Sequence, residues 1–284
     1  MISFKKNITF VIVSFNSSHI IEKCIKSINR NIKIIVVENS DNFHIKNYLE
    51  DRFSNVEVII AKENFGYGKA NNIGISKVKT QYAFILNPDV ILKKNCLKEL
   101  FKAKILLQDN FTILAPNDFN NYGYFFNKNN IYKENIFEVD YVKGFAMLIN
   151  LKKFIFKKIF DEKFFLFLEE IDLCKRIKNS NGKIFVVKNS KVRHFAKQSS
   201  ENSLNIELCR NWHWMWSLFY YNYKHFGVLI AYRITIAKFI SSIIKLFTSL
   251  VLFNKKNFLI HYYRLSGLLN AFFKKSAWLR PNKI

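Results

Sequence analysis

The sequence predicts an α/β protein, a parallel sheet with flanking helices, that continues into a helical, aromatic-rich C-terminal extension. Three observations carry this. Short β-branched or apolar runs, ITFVIVSF (8–15), IIVV (34–37), VEVII (56–60) and YAFIL (82–86), recur at intervals that leave room for helices between them. Such alternation belongs to parallel sheets covered by helices. Between the first two runs Ile21, Cys24, Ile25 and Ile28 fall at i, i+3, i+4 and i+7, the apolar stripe of a helix lying on that sheet. From about residue 205 the composition turns helical and strongly aromatic.

Taken in order, the elements follow from local chemistry. Lys5 and Lys6 precede the run Ile8 to Phe15, but that run is short and β-branched and has no small-residue cleavage site, so it reads as a first buried strand. A helix is expected over residues 95–107 and a strand over Phe111 to Ala115. Residues 117–135 (NDFNNYGYFFNKNNIYKEN) are Asn-rich and aperiodic, which predicts an irregular connection. An apolar segment at 139–149, an acidic cluster, a strand at 183–188 and VRHF at 192–195 then make a second, less regular lobe. The expected organisation is residues 1–115 and 116–204 as two halves of one domain, with 205–284 as the C-terminal region.

In that region Trp212, Trp216, Phe219, Tyr220 and Tyr223 share one helical face, and residues 226–253 are strongly apolar. Arg233, Lys238 and Lys245 interrupt the apolar segment, leaving no uncharged stretch near the ~20 residues of a spanning helix. Lys238 and Lys245 share a face. Two readings stand: an amphipathic helix lying in a membrane interface, or helices that simply cover the core.

A chain of 284 residues, half of them hydrophobic, can bury a substantial core. The formal charge of +24 favours an anionic partner but spreads over the whole length, alongside general enrichment in Lys, Asn, Ile and Phe, so it selects none. Cys24, Cys96, Cys174 and Cys209 form no Cys-x-x-Cys pair, which disfavours a zinc knuckle or disulfide framework and suits a reducing cytosol.

The candidate chemistry sits at strand ends. YAFIL stops at Asn87-Pro88-Asp89, with Asp89 just past the C-terminal edge where open α/β sheets bind ligands. A carboxylate there can hold Mg²⁺ or Mn²⁺ against the phosphates of a nucleotide; the same tripeptide also makes an ordinary turn. VVENS repeats the arrangement with Glu38, and Ser14 and Asn16 end the first strand, so three strands would deliver polar groups to one nucleoside pocket. The loop NFGYGKANN, containing Asn64, Gly68 and Asn72, leads into a helix and would let backbone approach a phosphate or ribose. It matches neither the Rossmann nor the P-loop glycine pattern, so dehydrogenase and ATPase readings lose support.

FLFLEEIDLC (165–174) concentrates acids in a basic chain. If a helix begins near Glu169, Glu170 shares the inward face with Leu173, Cys174 and Ile177, whereas Asp172 faces Lys175 and Arg176 as a solvated ion pair. Glu169 suits the helix dipole. An inward carboxylate beside a cleft is a candidate general base. His194 would complete a metal site with Asp89, or is simply structural.

In order, VIVSFNSS (11–18), IIVVENS (34–40), NFGYGKANNIGI (64–75), FILNPDV (84–90), VDYVKGFAMLI (139–149), FDEKFFLFLEEIDLCKRIK (160–178) and VRHFAKQSS (192–200) resemble glycosyltransferase family 2, in its rhamnosyltransferase-like branch. The resemblance implies a GT-A type, Rossmann-like fold with a mixed, mostly parallel sheet, and an inverting transfer from a nucleotide sugar. Residues 1–115 would be the nucleotide-sugar-binding half and 116–204 the acceptor-side and catalytic half.

Asp89 matches the metal-binding aspartate of the family's DXD-type motif, in which Asn87 replaces the first Asp, and His194 the further metal ligand. Glu170 matches the catalytic base, with Asp172 as its alternative, and Glu38 the nucleotide-binding carboxylate. Ser14, Asn16, Asn64, Gly68, Asn72 and Asn87 complete the donor set. VDYVKGFAML would line the acceptor side. The implied partners are Mg²⁺ or Mn²⁺, a dTDP- or UDP-sugar, and a saccharide or lipid-diphosphate-linked acceptor at the cytoplasmic face of the inner membrane.

Two other functions are weaker. A sugar-phosphate nucleotidyltransferase should carry a glycine-rich basic loop after its first strand, where this chain has SFNSS. A nucleic-acid-binding module should concentrate its lysines beside stacking aromatics rather than distribute them.

Overall fold

β-Branched residues favour extended backbone and pack well on a pleated surface, and the chain places them where its sheet is deepest. In the computed structural model, which describes residues 2–118, 131–155, 158–195 and 203–281, a short helix α1 (Ile2–Lys6) precedes strand β1 (Ile8–Ser14). Strands β2 (Lys33–Glu38), β3 (Val56–Ile60) and β4 (Tyr82–Leu86) join it in the parallel order β3-β2-β1-β4. Helices α2 (Ser18–Lys26), α3 (Phe43–Arg52) and α4 (Tyr67–Ser76) supply the crossovers that parallel neighbours require. The stripe Ile21, Cys24, Ile25 and Ile28 is buried throughout, each Ile contributing about 1.5–3 kcal/mol. Phe10 of β1 stacks on Phe84 of β4 with ring centroids 4.6 Å apart.

Beyond β4 the sheet becomes mixed. The chain continues through β5 (Val90–Leu92), α5 (Cys96–Leu106), β6 (Ile113–Asp118), β7 (Ile131–Lys133), β8 (Ile136–Glu138), β9 (Ala146–Asn150), α6 (Glu169–Asn179) and β10 (Ile184–His194). β9 inserts antiparallel between β4 and β6; β10 runs parallel to β6, and its far end takes β5 antiparallel.

The irregular connection expected over 117–135 is corrected at both ends. Asn117 and Asp118 complete β6 against β10, and Ile131 pairs with Phe137 in the β7–β8 hairpin. Asn-rich composition hid strands that exist because partners elsewhere in the sheet accept their hydrogen bonds. Residues 119–130 of that connection lie outside the described residues.

The chain forms two compact units: residues 1–65, 69–161 and 170–200 in the first, and 66–68, 162–169 and 201–284 in the second. The second contains α7 (Leu204–Phe226), α8 (Val228–Val251) and α9 (Lys255–Phe272). Its core is the aromatic face anticipated from sequence, with Trp212, Trp216 and Phe219 buried against Leu268, Ala271 and Phe165. α7 and α9 approach closely at Gly267, where a Cβ would lie 2.4 Å from the Trp212 carbonyl oxygen.

Helix α8 is arranged inside out. Its buried positions are the small residues Ala231, Thr235, Ser242 and Ser249, while Leu229, Ile240, Ile244, Phe247 and Val251 are exposed. The buried hydroxyls of Thr235 and Ser249 donate to the helix's own carbonyls at Ala231 and Lys245.

The segment 162–169 belongs to this helical unit although most of its sequence neighbours do not. Phe165 stacks on His213 at 4.3 Å and lies under the Arg280 guanidinium at 4.0 Å, and Ser217 donates to the Leu166 carbonyl at 2.8 Å. Gly66 clasps the same segment. Its φ is +79°, a Cβ there would sit 2.1 Å from the Phe165 carbonyl oxygen, and the next amide, Tyr67 N–H, donates to that oxygen at 2.9 Å. Gly66→Ala combines a disfavoured φ with a backbone clash and is expected to cost on the order of 2 kcal/mol or more, read as a lowered denaturation midpoint in chemical unfolding.

Candidate active site

The parallel strands β1, β2 and β4 end on one edge, so the polar residues that close them are neighbours. Ser14 pairs in register with Glu38. Glu38 is buried, and Ser40 Oγ donates to its Oε1 at 2.6 Å. Burial raises its carboxyl above the ordinary range against the opposing hydroxyls of Ser40 and Ser14. Asn16 follows in the left-handed region at φ 53°, which Asn tolerates better than most residues. Asn39, which lies within VVENS, donates through Nδ2 to Asn64 Oδ1 and accepts from Phe65 N–H, both at 2.9 Å. It ties the end of β2 to the loop carrying Asn64.

The same loop leads into α4, which carries two more residues of the expected donor set, Gly68 and Asn72. Asn72 is buried and clamps backbone: its Oδ1 accepts from Ile159 and Phe160 N–H at 3.0 Å, and its Nδ2 donates to the Phe160 carbonyl. A side chain engaged in this way fixes the backbone at residues 159 and 160. Gly68 lies in the first turn of α4 and belongs to the helical unit. The glycine whose freedom the fold requires is Gly66, and what approaches it is the Phe165 backbone rather than a phosphate.

Asp89 is 1% exposed, and neither carboxylate oxygen has a hydrogen-bond partner; Asn87 Oδ1 is likewise buried and unpartnered. His194 Nε2 lies 3.4 Å from Asp89 Oδ1. Pairing of β5 with β10 causes this proximity. Val90 is in register with His194, and Phe195 N–H donates to the Asp89 carbonyl at 2.9 Å.

An orphaned buried carboxylate is costly, and two ligands of an octahedral Mg²⁺, each at ~2.1 Å, stand about 3 Å apart, so the pair fits a divalent cation. Among the described residues no group of three or more His, Cys, Asp or Glu is placed to hold a metal. Asp118, unrecognised in the stretch assigned to a loop, accepts His194 N–H at 3.4 Å.

Helix α6 begins at Glu169, as the acidic cluster suggested, and buries Leu173, Cys174 and Ile177. Its acids sort differently from the expectation. Asp172 has the predicted partner, Arg176 Nε at 2.8 Å, but is fully buried rather than solvated, and Arg176 also donates to the Ile159 carbonyl at 2.7 Å. Glu169 is buried as well. Glu170 is half-buried, the most accessible of the three.

Desolvation raises the Glu170 carboxyl above 4.5, opposed by the backbone amides of Glu170, Ile171 and Gly144. The residue after Gly144, Phe145, stacks on the His194 ring at 4.5 Å, so one dipeptide supports both Glu170 and His194. The two residues leading into α6, Phe167 and Leu168, both have positive φ, 70° and 67°. Consecutive left-handed non-glycine residues are strained and cluster at functional sites.

The model for glycosyl transferase family 2 matches residues 9–174. The rhamnosyltransferase WbbL of Escherichia coli K12 is 25% identical, over 68% of this chain and 84% of its own. Staphylococcus aureus TarS 1–349 in complex with UDP-GlcNAc superposes at a TM-score of 0.52 with 14% identity, covering 95% of this chain and 92% of that one. GalNAc-T7 with UDP, GalNAc and Mn²⁺ gives 0.54 with 16% identity, over 77% of this chain and 50% of that one. With a mixed, mostly parallel sheet, flanking helices and a family match across more than half its length, the chain belongs to glycosyl transferase family 2 and is a glycosyltransferase of GT-A fold.

Proposed function

We propose that the protein is an inverting, metal-dependent glycosyltransferase that moves a sugar from a dTDP- or UDP-linked donor to a saccharide or lipid-diphosphate-linked acceptor in the assembly of cell-surface polysaccharide. The observation that carries this reading is Asp89, whose buried carboxylate has no hydrogen-bond partner and faces His194 at 3.4 Å. Rhamnose heads the donors to be tested, because a relative is named a rhamnosyltransferase.

Ser14, Asn16, Glu38, Asn64 and Asn87 would hold the nucleotide at the strand edge. Asp89 and His194 would hold Mg²⁺ or Mn²⁺, which when bound offsets negative charge on the departing diphosphate. Glu170 takes the proton of an acceptor hydroxyl as its oxygen forms a bond to the anomeric carbon; the bond from that carbon to the diphosphate oxygen breaks on the opposite face. The proton ends on Glu170. One displacement inverts the centre, and no covalent nucleophile is required. A carboxyl with raised proton affinity is a stronger base than an ordinary Glu, and partial exposure lets it reach the acceptor.

The exposed ridge of α8 supports a peripheral position on the cytoplasmic face of the membrane. Within Val228–Val251 an 18-residue window reaches a mean hydropathy of 1.7, and the helix is, by length and composition, long and apolar enough to cross a membrane. Exposed Arg233, Lys238 and Lys245 distributed along it favour lying in the interface, apolar side chains in the acyl boundary and cations on anionic headgroups.

Purified protein with Mn²⁺ or Mg²⁺ is expected to release nucleoside diphosphate from one member of a nucleotide-sugar panel and to stop when the metal is chelated; no release with any donor, with or without metal, overturns the assignment. Glu170→Gln should keep donor binding and lose transfer by about 10²–10⁴-fold. Transfer should rise with pH as Glu170 loses its proton above the usual carboxylate range, and the Gln variant should lack that limb. Asp172→Asn breaks a buried ion pair, lowering stability by on the order of 2–3 kcal/mol; if it folds normally yet is inactive while Glu170→Gln turns over, Asp172 is the base. Ile240→Glu with Phe247→Glu should abolish co-sedimentation with phosphatidylglycerol vesicles, and unchanged sedimentation refutes the interfacial helix.

A further inference from the structure

The helical unit contains a cavity of about 810 Å³ that no step of the transfer reaction above uses. Its apolar wall is aromatic: Trp216, Tyr220 and Tyr223 from α7, with Trp278 from the segment after α9. Lys163, Lys274, Lys275 and Arg280 line the same cavity against a single acid, Glu162.

The wall is held in place before any ligand arrives. Trp216 Nε1–H donates to the Lys275 carbonyl at 2.9 Å, and its ring stacks on Tyr220 at 4.9 Å. Phe164 meets the edge of Tyr220 at 4.8 Å. Lys274 Nζ lies 5.3 Å from the Tyr223 ring centre. Phe219, also lining the cavity, is braced by Tyr232 of α8 and Phe272 of α9 with centroids 5.1 and 5.0 Å away.

We infer that this cavity is a binding site for a phosphorylated saccharide, the diphosphate-bearing sugar of the acceptor; the inference rests on the reading of the protein as a transferase to a saccharide. Sugar rings present C–H faces that lie on aromatic side chains, and phosphate oxygens are recognised by clustered Lys and Arg. The volume lies in the range of small-ligand sites. The donor's nucleotide has its own candidate residues at the strand edge of the other unit. The cavity is also tied to the chemistry through the chain: Glu162 and Lys163 open the segment EKFFLFLE, which runs directly into Glu170. The brace from Tyr232 connects it to the first turns of α8, the helix with the exposed apolar ridge.

All four tryptophans, Trp212, Trp214, Trp216 and Trp278, lie in the helical unit, so intrinsic fluorescence reports on that unit and not on the donor edge. Full-length protein is titrated with N-acetylglucosamine linked through a diphosphate to a decyl chain, and separately with free N-acetylglucosamine, inorganic diphosphate and phosphatidylglycerol vesicles. The expected result is a saturable emission change with the linked sugar and about tenfold or weaker binding of each fragment.

Lys274→Glu with Lys275→Glu, exposed positions that leave the core untouched, should weaken the linked sugar about tenfold or more; Lys274→Gln with Lys275→Gln should give the same direction. The inference is overturned if no saturable change occurs, if both lysine variants bind as tightly as the parent, or if vesicles produce the same change and compete, which marks a lipid-headgroup site instead. Nucleoside diphosphate release in the donor panel is measured in parallel. Its absence together with saturable binding sinks the transferase reading alone, and its presence without binding sinks the cavity assignment alone.

Discussion

The pairing of three residues, Val90 to Leu92, with the distal end of β10 is the constraint on which the candidate site depends. Asp89 stands one residue before that pairing and His194 ends it, so a few backbone hydrogen bonds bring together groups more than a hundred positions apart in sequence. The price is a carboxylate buried at 1% exposure without donors. A purely structural site would satisfy those oxygens with amides or an arginine, as α6 does for Asp172. The two buried aspartates of one domain therefore differ in kind: the Asp172 carboxylate is paired with Arg176, and the Asp89 carboxylate accepts no hydrogen bond.

The second organising element is the approach to α6. Phe164 and Phe165 anchor in the helical unit, Gly66 admits the Phe165 backbone, Phe167 and Leu168 take left-handed conformations, and the helix then starts at Glu169. Strain at two bulky residues persists only where the surroundings over-determine it. Here it stands immediately before the first turn of α6, which begins at Glu169. Within the sheet-containing unit, Gly144 supplies an amide to Glu170 and Phe145 a ring to His194.

The C-terminal helices answer more than one demand. Their aromatic face packs inward and builds both a core and a cavity, while α8 turns small residues inward and large apolar ones outward. Ordinary soluble packing does the reverse. Much of the charge of +24 needs no site, being spread along the chain, yet the lysines and arginine around the cavity show that local concentration can arise from residues distant in sequence.

By itself the sequence determined the parallel sector, because alternation of β-branched runs with the stripe Ile21, Cys24, Ile25 and Ile28 has few other solutions, and it marked Asp89, Glu38 and the acidic start of α6 because strand ends and helix starts are punctuated by short polar residues. Tertiary structure decided what periodicity cannot encode. Helical spacing says which residues share a face but not whether that face meets water, so Asp172, expected in a solvated ion pair with Lys175 or Arg176, is instead fully buried while paired with Arg176. Asn-rich stretches hid β7 and the end of β6, whose extended form depends on partners in the sheet. The freedom of Gly66, the clamp made by Asn72 and the aromatic cavity all require segments remote in the chain to meet, and contacts of that range are set by packing rather than by local propensity.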